Sequence, residues 1–136
     1  MNIRIITVLI ILTLIFIAIF FYFNNQDSSI ASIIITQDSL NSARDIKAFT
    51  DKTKEIFILI KLSKVKKSEN IKISWYKKSG NDLVLIQENN VMTDNEGSGY
   101  VRLSLISKNS LYESGKYSVN IVFNGKAEKP KDFTIN

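Results

Sequence analysis

The sequence predicts an all-β fold, a single antiparallel β-sandwich of about seven strands, preceded by one N-terminal transmembrane helix. Three observations predict it. Residues Ile5 to Phe23 form a run of 19 residues without a charge. Beyond that run, apolar and polar residues alternate, with turn signals about every 8 to 15 residues. Near the end, Asn124-Gly125 separates two alternating segments, the dipeptide favoured in a two-residue type I′ hairpin.

The N-terminal run reaches about 28 Å as a helix, the thickness of a bilayer core. Fifteen of its residues are Ile, Leu, Val or Phe, interrupted in polarity only by Thr7, Thr13 and Tyr22. In lipid a helix satisfies its own backbone, so β-branched Ile is no handicap. Arg4 and the amino terminus are positive, whereas Asn24-Asn25-Gln26-Asp27 follows the run and no basic residue comes before Arg44. That asymmetry keeps the N-terminus cytoplasmic and places the C-terminal domain extracytoplasmic, at a plasma membrane crossed once. The expected organisation is an anchor over 1–23, a linker over 24–31 and an extracytoplasmic sandwich over 32–136. The alternative is secretion after signal-peptide cleavage at Ser29-Ile30-Ala31. Against it, the apolar run is longer than the usual 7 to 15 residues or so, and Ala31 lies eight residues past Phe23.

Along the sandwich, Ile33 to Thr36 is the expected first strand. The stretch 37–54 is polar, with Leu40, Ile46 and Phe49 as its packing contacts and no strand topology legible. Glu55 to Leu62 carries Ile56, Ile58, Ile60 and Leu62 on one face and Phe57 and Leu59 on the other, the pattern of a central strand. Asn70 to Lys77 alternates Ile71, Ile73 and Trp75 with Lys72, Ser74 and Tyr76, which buries the single tryptophan. A turn at Ser79-Gly80-Asn81-Asp82 leads into Leu83 to Gln87. The loop Thr93 to Gly99 precedes a strand with Val101, Leu103 and Leu105 inward. Tyr117, Val119, Ile121 and Phe123 alternate up to Asn124-Gly125, and Phe133 and Ile135 return antiparallel. Pro130 lacks a ladder donor, so this last strand is an edge or starts after it.

Composition excludes much chemistry. The chain has no cysteine and no histidine. Disulfides, thiolate nucleophiles, lipid attachment at a lipobox cysteine and every Ser-His or Cys-His arrangement are therefore ruled out. The formal charge of +5 is mildly basic. Abundant Ile, Lys and Asn, all encoded by A/T-rich codons, account for the lysines as well as an anionic partner does.

Trp75 on the third strand, and Gly115-Lys116-Tyr117 after Leu111, resemble immunoglobulin-like and fibronectin-III-like sandwiches; the second feature is similar to a tyrosine corner. Ile56-Phe57, Ile73-Ser74-Trp75-Tyr76, Gly97-Ser98-Gly99-Tyr100-Val101, Asn124-Gly125-Lys126 and Phe133-Thr134-Ile135 follow in an order that resembles a β-sandwich module of secreted and membrane-anchored prokaryotic proteins. Lys64 to Glu69 departs from it, standing where a small turn with Pro and Gly is expected. The resemblance implies a non-catalytic accessory or adhesion-like module and carries over no catalytic, metal or cofactor-binding residue.

Four candidate sites stand beside plainer readings. Asp94, Glu96 and Ser98 place oxygens at alternate positions, as in half a calcium loop, but Leu105 stands where the bidentate carboxylate belongs, which favours a solvated turn. Lys61, Lys64, Lys66 and Lys67, with Lys72, Lys77 and Lys78, form either a basic end for anionic polymers and lipid head groups or protective edge lysines. Trp75, Tyr117 and Phe133 fall on the core alternation rather than on a carbohydrate platform, which leaves Tyr76, Tyr100 and Tyr112 as the exposed aromatics. Glu88 with Asp94 is the sort of carboxylate pair an enzyme would use, although so small a domain has no insertion to build a cleft. The expected function is thus a non-catalytic, membrane-anchored binding or assembly module that contacts a protein or envelope polymer. Electrostatic tethering is the alternative and a carboxylate-dependent enzyme the third reading. Neither cofactor nor nucleic acid is expected.

Overall fold

The computed structural model describes residues 3–24, 27–37, 44–107 and 112–136. The expected contact Leu40, and Leu111 ahead of the tyrosine turn, lie outside them. The apolar run forms helix α1 (Ile3–Asn24). Its described side chains, residues 7–22, are exposed throughout, and among the described residues it contributes nothing to the core. Among the described residues no helix is long and apolar enough to cross a membrane.

Among the described residues nine strands follow: β1 (Ser29–Thr36), β2 (Ala48–Phe49), β3 (Ile56–Val65), β4 (Asn70–Ser79), β5 (Asp82–Met92), β6 (Gly97–Leu105), β7 (Gly115–Phe123), β8 (Lys126–Ala127) and β9 (Lys131–Ile135). They make an all-β domain of two sheets. One has the order β1-β3-β6; the other has the order β2-β9-β7-β4-β5, with β8 also paired to β7. Every pairing is antiparallel except β2 with β9, which run parallel over Ala48↔Thr134 and Phe49↔Ile135. That pairing places a strand in the polar stretch 37–54, the one seen among its described residues, and Phe49 and Ile46 pack on the core as expected.

Alternating β-branched residues suit a pleated surface with one buried face. Ile56, Ile58 and Ile60 of β3 accordingly meet Ile71, Ile73 and Trp75 of β4, all of them fully enclosed. Phe57 and Leu59, on the other face of β3, are also buried, as a central strand requires. Phe133 gathers the aromatic end of the core: it stacks on Tyr117 at 5.2 Å and meets Trp75 and Phe49 edge-on at 6.3 and 5.6 Å. The platform residues Trp75, Tyr117 and Phe133 are thus interior.

Several boundaries differ from expectation. β1 begins at Ser29, inside the expected linker, because Ser29 and Ile30 pair with Ser63 and Leu62 of β3. β3 continues to Val65 through an irregularity after Leu62. β5 is eleven residues long rather than five. β9 begins directly after Pro130, as expected, but the hairpin at Asn124-Gly125 closes first onto β8. Asn124 and Gly125 both have positive φ, 49° and 80°, as a type I′ turn needs.

Candidate functional site

Each sheet of a sandwich ends in strands whose outer N–H and C=O groups lack a ladder partner, and such edges are where a further strand adds. Among the described residues β5 pairs with β4 alone, and it forms one of these edges. Its first half departs from the alternation seen elsewhere. Leu83, Val84, Leu85 and Ile86 are consecutive, and their exposures are 50, 51, 50 and 44%. Four neighbouring aliphatic side chains in water on one edge are the largest apolar exposure described in the sandwich.

The register shows why both faces of β5 are apolar here. Leu83 and Leu85 stand opposite Lys78 and Tyr76 on the outer face, and Val84 stands opposite Lys77 on the core side. A bulge at Ile86, between Leu85↔Tyr76 and Gln87↔Trp75, turns Ile86 and Gln87 the same way. Ile86 then lines a cleft of about 130 Å³ at the mouth between the sheets, with Leu105, Ile106, Tyr112 and Tyr117. Gln87 closes that mouth: its amide donates to the Ser104 carbonyl at 2.9 Å and its oxygen accepts from the Ile106 amide at 2.8 Å. The apolar edge therefore rests on a fixed base.

The lysines of β4 behind it are paired. Lys77 binds Glu113, and this hydrogen bond holds its ammonium pKa above the ordinary value. Lys78 binds Asp132 at 2.8 Å, and the bonds from Lys78 and Ser118 hold that carboxyl below its usual range. Lys72 binds Glu88 at 3.0 Å. The seven candidate lysines consequently do not form one patch. Lys61 lies on the other sheet, near Tyr100; Lys64 is on β3; Lys66 and Lys67 occupy the β3–β4 turn; Lys72, Lys77 and Lys78 on β4 pair with acids.

Tyr112 is not the exposed aromatic expected from its position. It is buried, accepting from the Ile56 amide and donating to the Leu105 carbonyl, so it ties the ends of β3 and β6 together. Burial pushes its phenol pKa up. Tyr117 makes the expected corner, donating to the Glu113 carbonyl. Tyr100 is exposed and Tyr76 is half-buried. Glu88 is engaged with Lys72 and with the Ser74 hydroxyl, while Asp94 sits in the next loop, so the two do not face each other as a matched pair. Asp94, Glu96 and Ser98 are exposed, and no three His, Cys, Asp or Glu side chains group together among the described residues.

One polar centre was not legible in the sequence. The Glu69 carboxylate accepts from the Ser28 hydroxyl at 2.6 Å, the Lys66 amide at 2.8 Å and the Asn124 amide at 3.0 Å. Partial desolvation pulls its pKa up, and the three hydrogen bonds with the nearby Lys66 charge outweigh that and hold it below 4.5. Glu69 thereby fastens the segment entering β1 to the β3–β4 turn and the β7–β8 hairpin. This end of the sandwich is the one the chain enters after α1; Leu83 lies at the opposite end.

No family model and no curated protein matches this chain. Solved structures resemble it at low identity. A β-glucosidase from Listeria innocua in complex with glucose is 10% identical, with a TM-score of 0.45 over 81% of this chain and 16% of that one. A Niemann-Pick type C2 protein from the Japanese carpenter ant is 9% identical, with a TM-score of 0.48 over 82% of this chain and 94% of that one. The Pseudomonas fluorescens alkylpurine DNA glycosylase AlkC is 11% identical, with a TM-score of 0.46 over 80% and 30%. This chain spans about a sixth of the β-glucosidases' length, and likeness at this level assigns it neither activity nor ligand.

Proposed function

We propose that this chain is a non-catalytic, membrane-anchored, extracytoplasmic binding or assembly module whose β5 edge receives a protein partner by strand addition. The observation that carries the reading is the exposed aliphatic run Leu83–Ile86 on that edge. Main-chain groups of an edge provide affinity in strand addition, and side chains on either face provide selectivity.

The anchor is supported by the 19-residue uncharged run Ile5–Phe23, which extends beyond the described side chains of α1 at both ends. Cleavage after Ala31 fits less well with the fold, since it would remove Ser29 and Ile30 from their pairing with β3. An immunoglobulin-like or fibronectin-III-like assignment is supported by the division of strands into β1-β3-β6 and β9-β7-β4-β5, by Trp75 enclosed on β4 and by the Tyr117 corner. Electrostatic tethering is the rival. It draws less from the lysines of β4, whose charges are met by Glu88, Glu113 and Asp132.

The test is photo-crosslinking from intact cells carrying the full chain, with the crosslinker at Leu85 or, as control, at Ser63 on the opposite sheet. Adducts from Leu85 that survive physiological salt and are absent from Ser63 are expected. Equal yields from both positions, or adducts lost at that salt, would leave charge alone as the attraction and end the edge reading.

A further inference from the structure

The identity of the strand that joins β5 can be argued from β5 itself, and this step rests on the reading of that edge as a docking site. A partner strand must offer apolar side chains to both faces at once, because Leu83 and Leu85 point outward while Val84 and Ile86 point to the core side. Strands with one wet face alternate instead. β5 is a strand that meets the requirement, so it is complementary to its own copy.

An antiparallel two-fold pairing that keeps each sheet face continuous permits few registers, since opposed residues must share a face. Centred on Leu85, the pairing sets the outward Leu83 against Gln87, which the bulge turns to the core side, so the faces do not continue from one copy to the other. Centred on Val84, it sets Leu83 against Leu85 on the outer face and Val84 against its own copy on the inner face, with Asp82 opposite Ile86. No like charges meet in that register. The cations behind the edge, Lys77 and Lys78, are already neutralised by Glu113 and Asp132.

Direction then decides where the second copy sits. β5 runs from Asp82, at the end away from α1, to Met92, which pairs with Asn70 beside the Glu69 centre that holds Ser28. Antiparallel pairing about Val84 sends the two α1-bearing ends to opposite poles. Only residues 25–28 separate α1 from β1, a reach of about 14 Å when extended, too little to bring both helices back to one bilayer. We propose that this chain pairs with itself head to head through β5, each copy held by its own membrane, so that it joins two facing membranes. Overlap is confined to Asp82–Ile86, about 17 Å of strand, well short of a standard interface, and many weak pairs acting together supply the adhesion.

The test uses full-length chain reconstituted in two differently labelled vesicle populations of neutral lipid, sandwich outward, with clustering read by light scattering. Clustering that requires the chain on both populations is expected. Because Val84 faces its own copy, V84K vesicles and V84E vesicles should each fail to cluster alone, by about tenfold, and should recover when mixed with each other. Val84 is half exposed, and circular dichroism with urea unfolding of each variant confirms that the fold is kept. Failure of wild-type vesicles to cluster, clustering with the chain on one population only, or undiminished clustering of V84K alone overturns the self-pairing. Leu85 crosslinks to a different protein in cells, with no vesicle clustering, would leave the edge reading standing and remove only the second copy as its occupant.

Discussion

At the scale of single residues, the hydrogen-bonding tyrosines separate two ways in which a phenol stabilises a sandwich. Tyr112 satisfies two buried main-chain groups, the Ile56 amide and the Leu105 carbonyl, at the ends of two paired strands. Tyr117 satisfies one carbonyl, on the exposed residue Glu113, where water can take its place. Leaving a buried group unpaired costs about 1 to 3 kcal/mol, whereas loss of a replaceable bond costs about 1 kcal/mol. Urea unfolding should therefore place Tyr112→Phe below Tyr117→Phe in stability by about 1 kcal/mol or more, and the reverse order would mean that the corner, not the strand tie, dominates. Trp75 is a different case, fully enclosed, with no hydrogen-bond partner for its indole nitrogen among the described residues. Its contribution is packing against Phe133, and truncation to Ala should cost about 3 to 5 kcal/mol in the same experiment.

At the scale of elements, what could be read from the chain depended on whether a strand's partner imposes alternation. β3, β4, β6 and β7 each bury one face against the opposite sheet, so Ile71, Ile73, Trp75 and Val101, Leu103, Leu105 marked them in advance. β2 is two residues held by parallel pairing to β9, some 86 residues on, and nothing local announces it. The first half of β1 has only Ile30 among the small residues Ser29, Ala31 and Ser32, and it becomes a strand because β3 extends alongside. β5 was recognised as a strand, but its want of alternation, now its most informative property, carried no meaning until its place at the edge was known. The lysines were misgrouped for a similar reason: Lys77 and Lys78 find acids 36 and 54 residues away. Glu69 shows how such distant pairings join elements. Its carboxyl pKa is depressed below 4.5 in the folded state, so its contribution is present above 4.5 and is lost as pH falls through the lowered value. The Glu69→Gln variant should be less stable than the parent in urea at pH 7, with the gap narrowing as the pH is lowered through the acid range; a gap that does not change with pH would show that the carboxylate charge plays no part.

At the scale of the whole molecule, the two poles of the sandwich differ in kind, and the difference gives the anchor its meaning. Glu69, Ser28 and Asn124 bind the pole that the chain enters from α1, whereas the aliphatic start of β5 lies at the other pole. If residues 5–23 lie in a bilayer, the polar clamp sits near the head groups and Leu83–Ile86 face outward, where a partner can reach them. The proposed anchor draws on composition alone: fifteen side chains of the run are Ile, Leu, Val or Phe and none is charged, which on a transfer scale would favour insertion by several kcal/mol, roughly. On the proposed anchor, the charge of Arg4 just ahead of the run would favour keeping that end in the cytoplasm. Two treatments of membranes carrying the full chain test this arrangement. Washing with high salt and then alkaline carbonate should leave the chain in the pellet, since neither weakens burial in hydrocarbon, while a chain held by lysines alone should leave at the first wash. Protease added to intact cells should digest the sandwich and spare a fragment containing residues 5–23. Release by salt, or a sandwich protected until the cells are opened, would remove the anchor and with it the outward orientation of β5. A mature chain beginning at Ser32 would replace the anchor with secretion and would also require β3 to lose its pairing with Ser29 and Ile30.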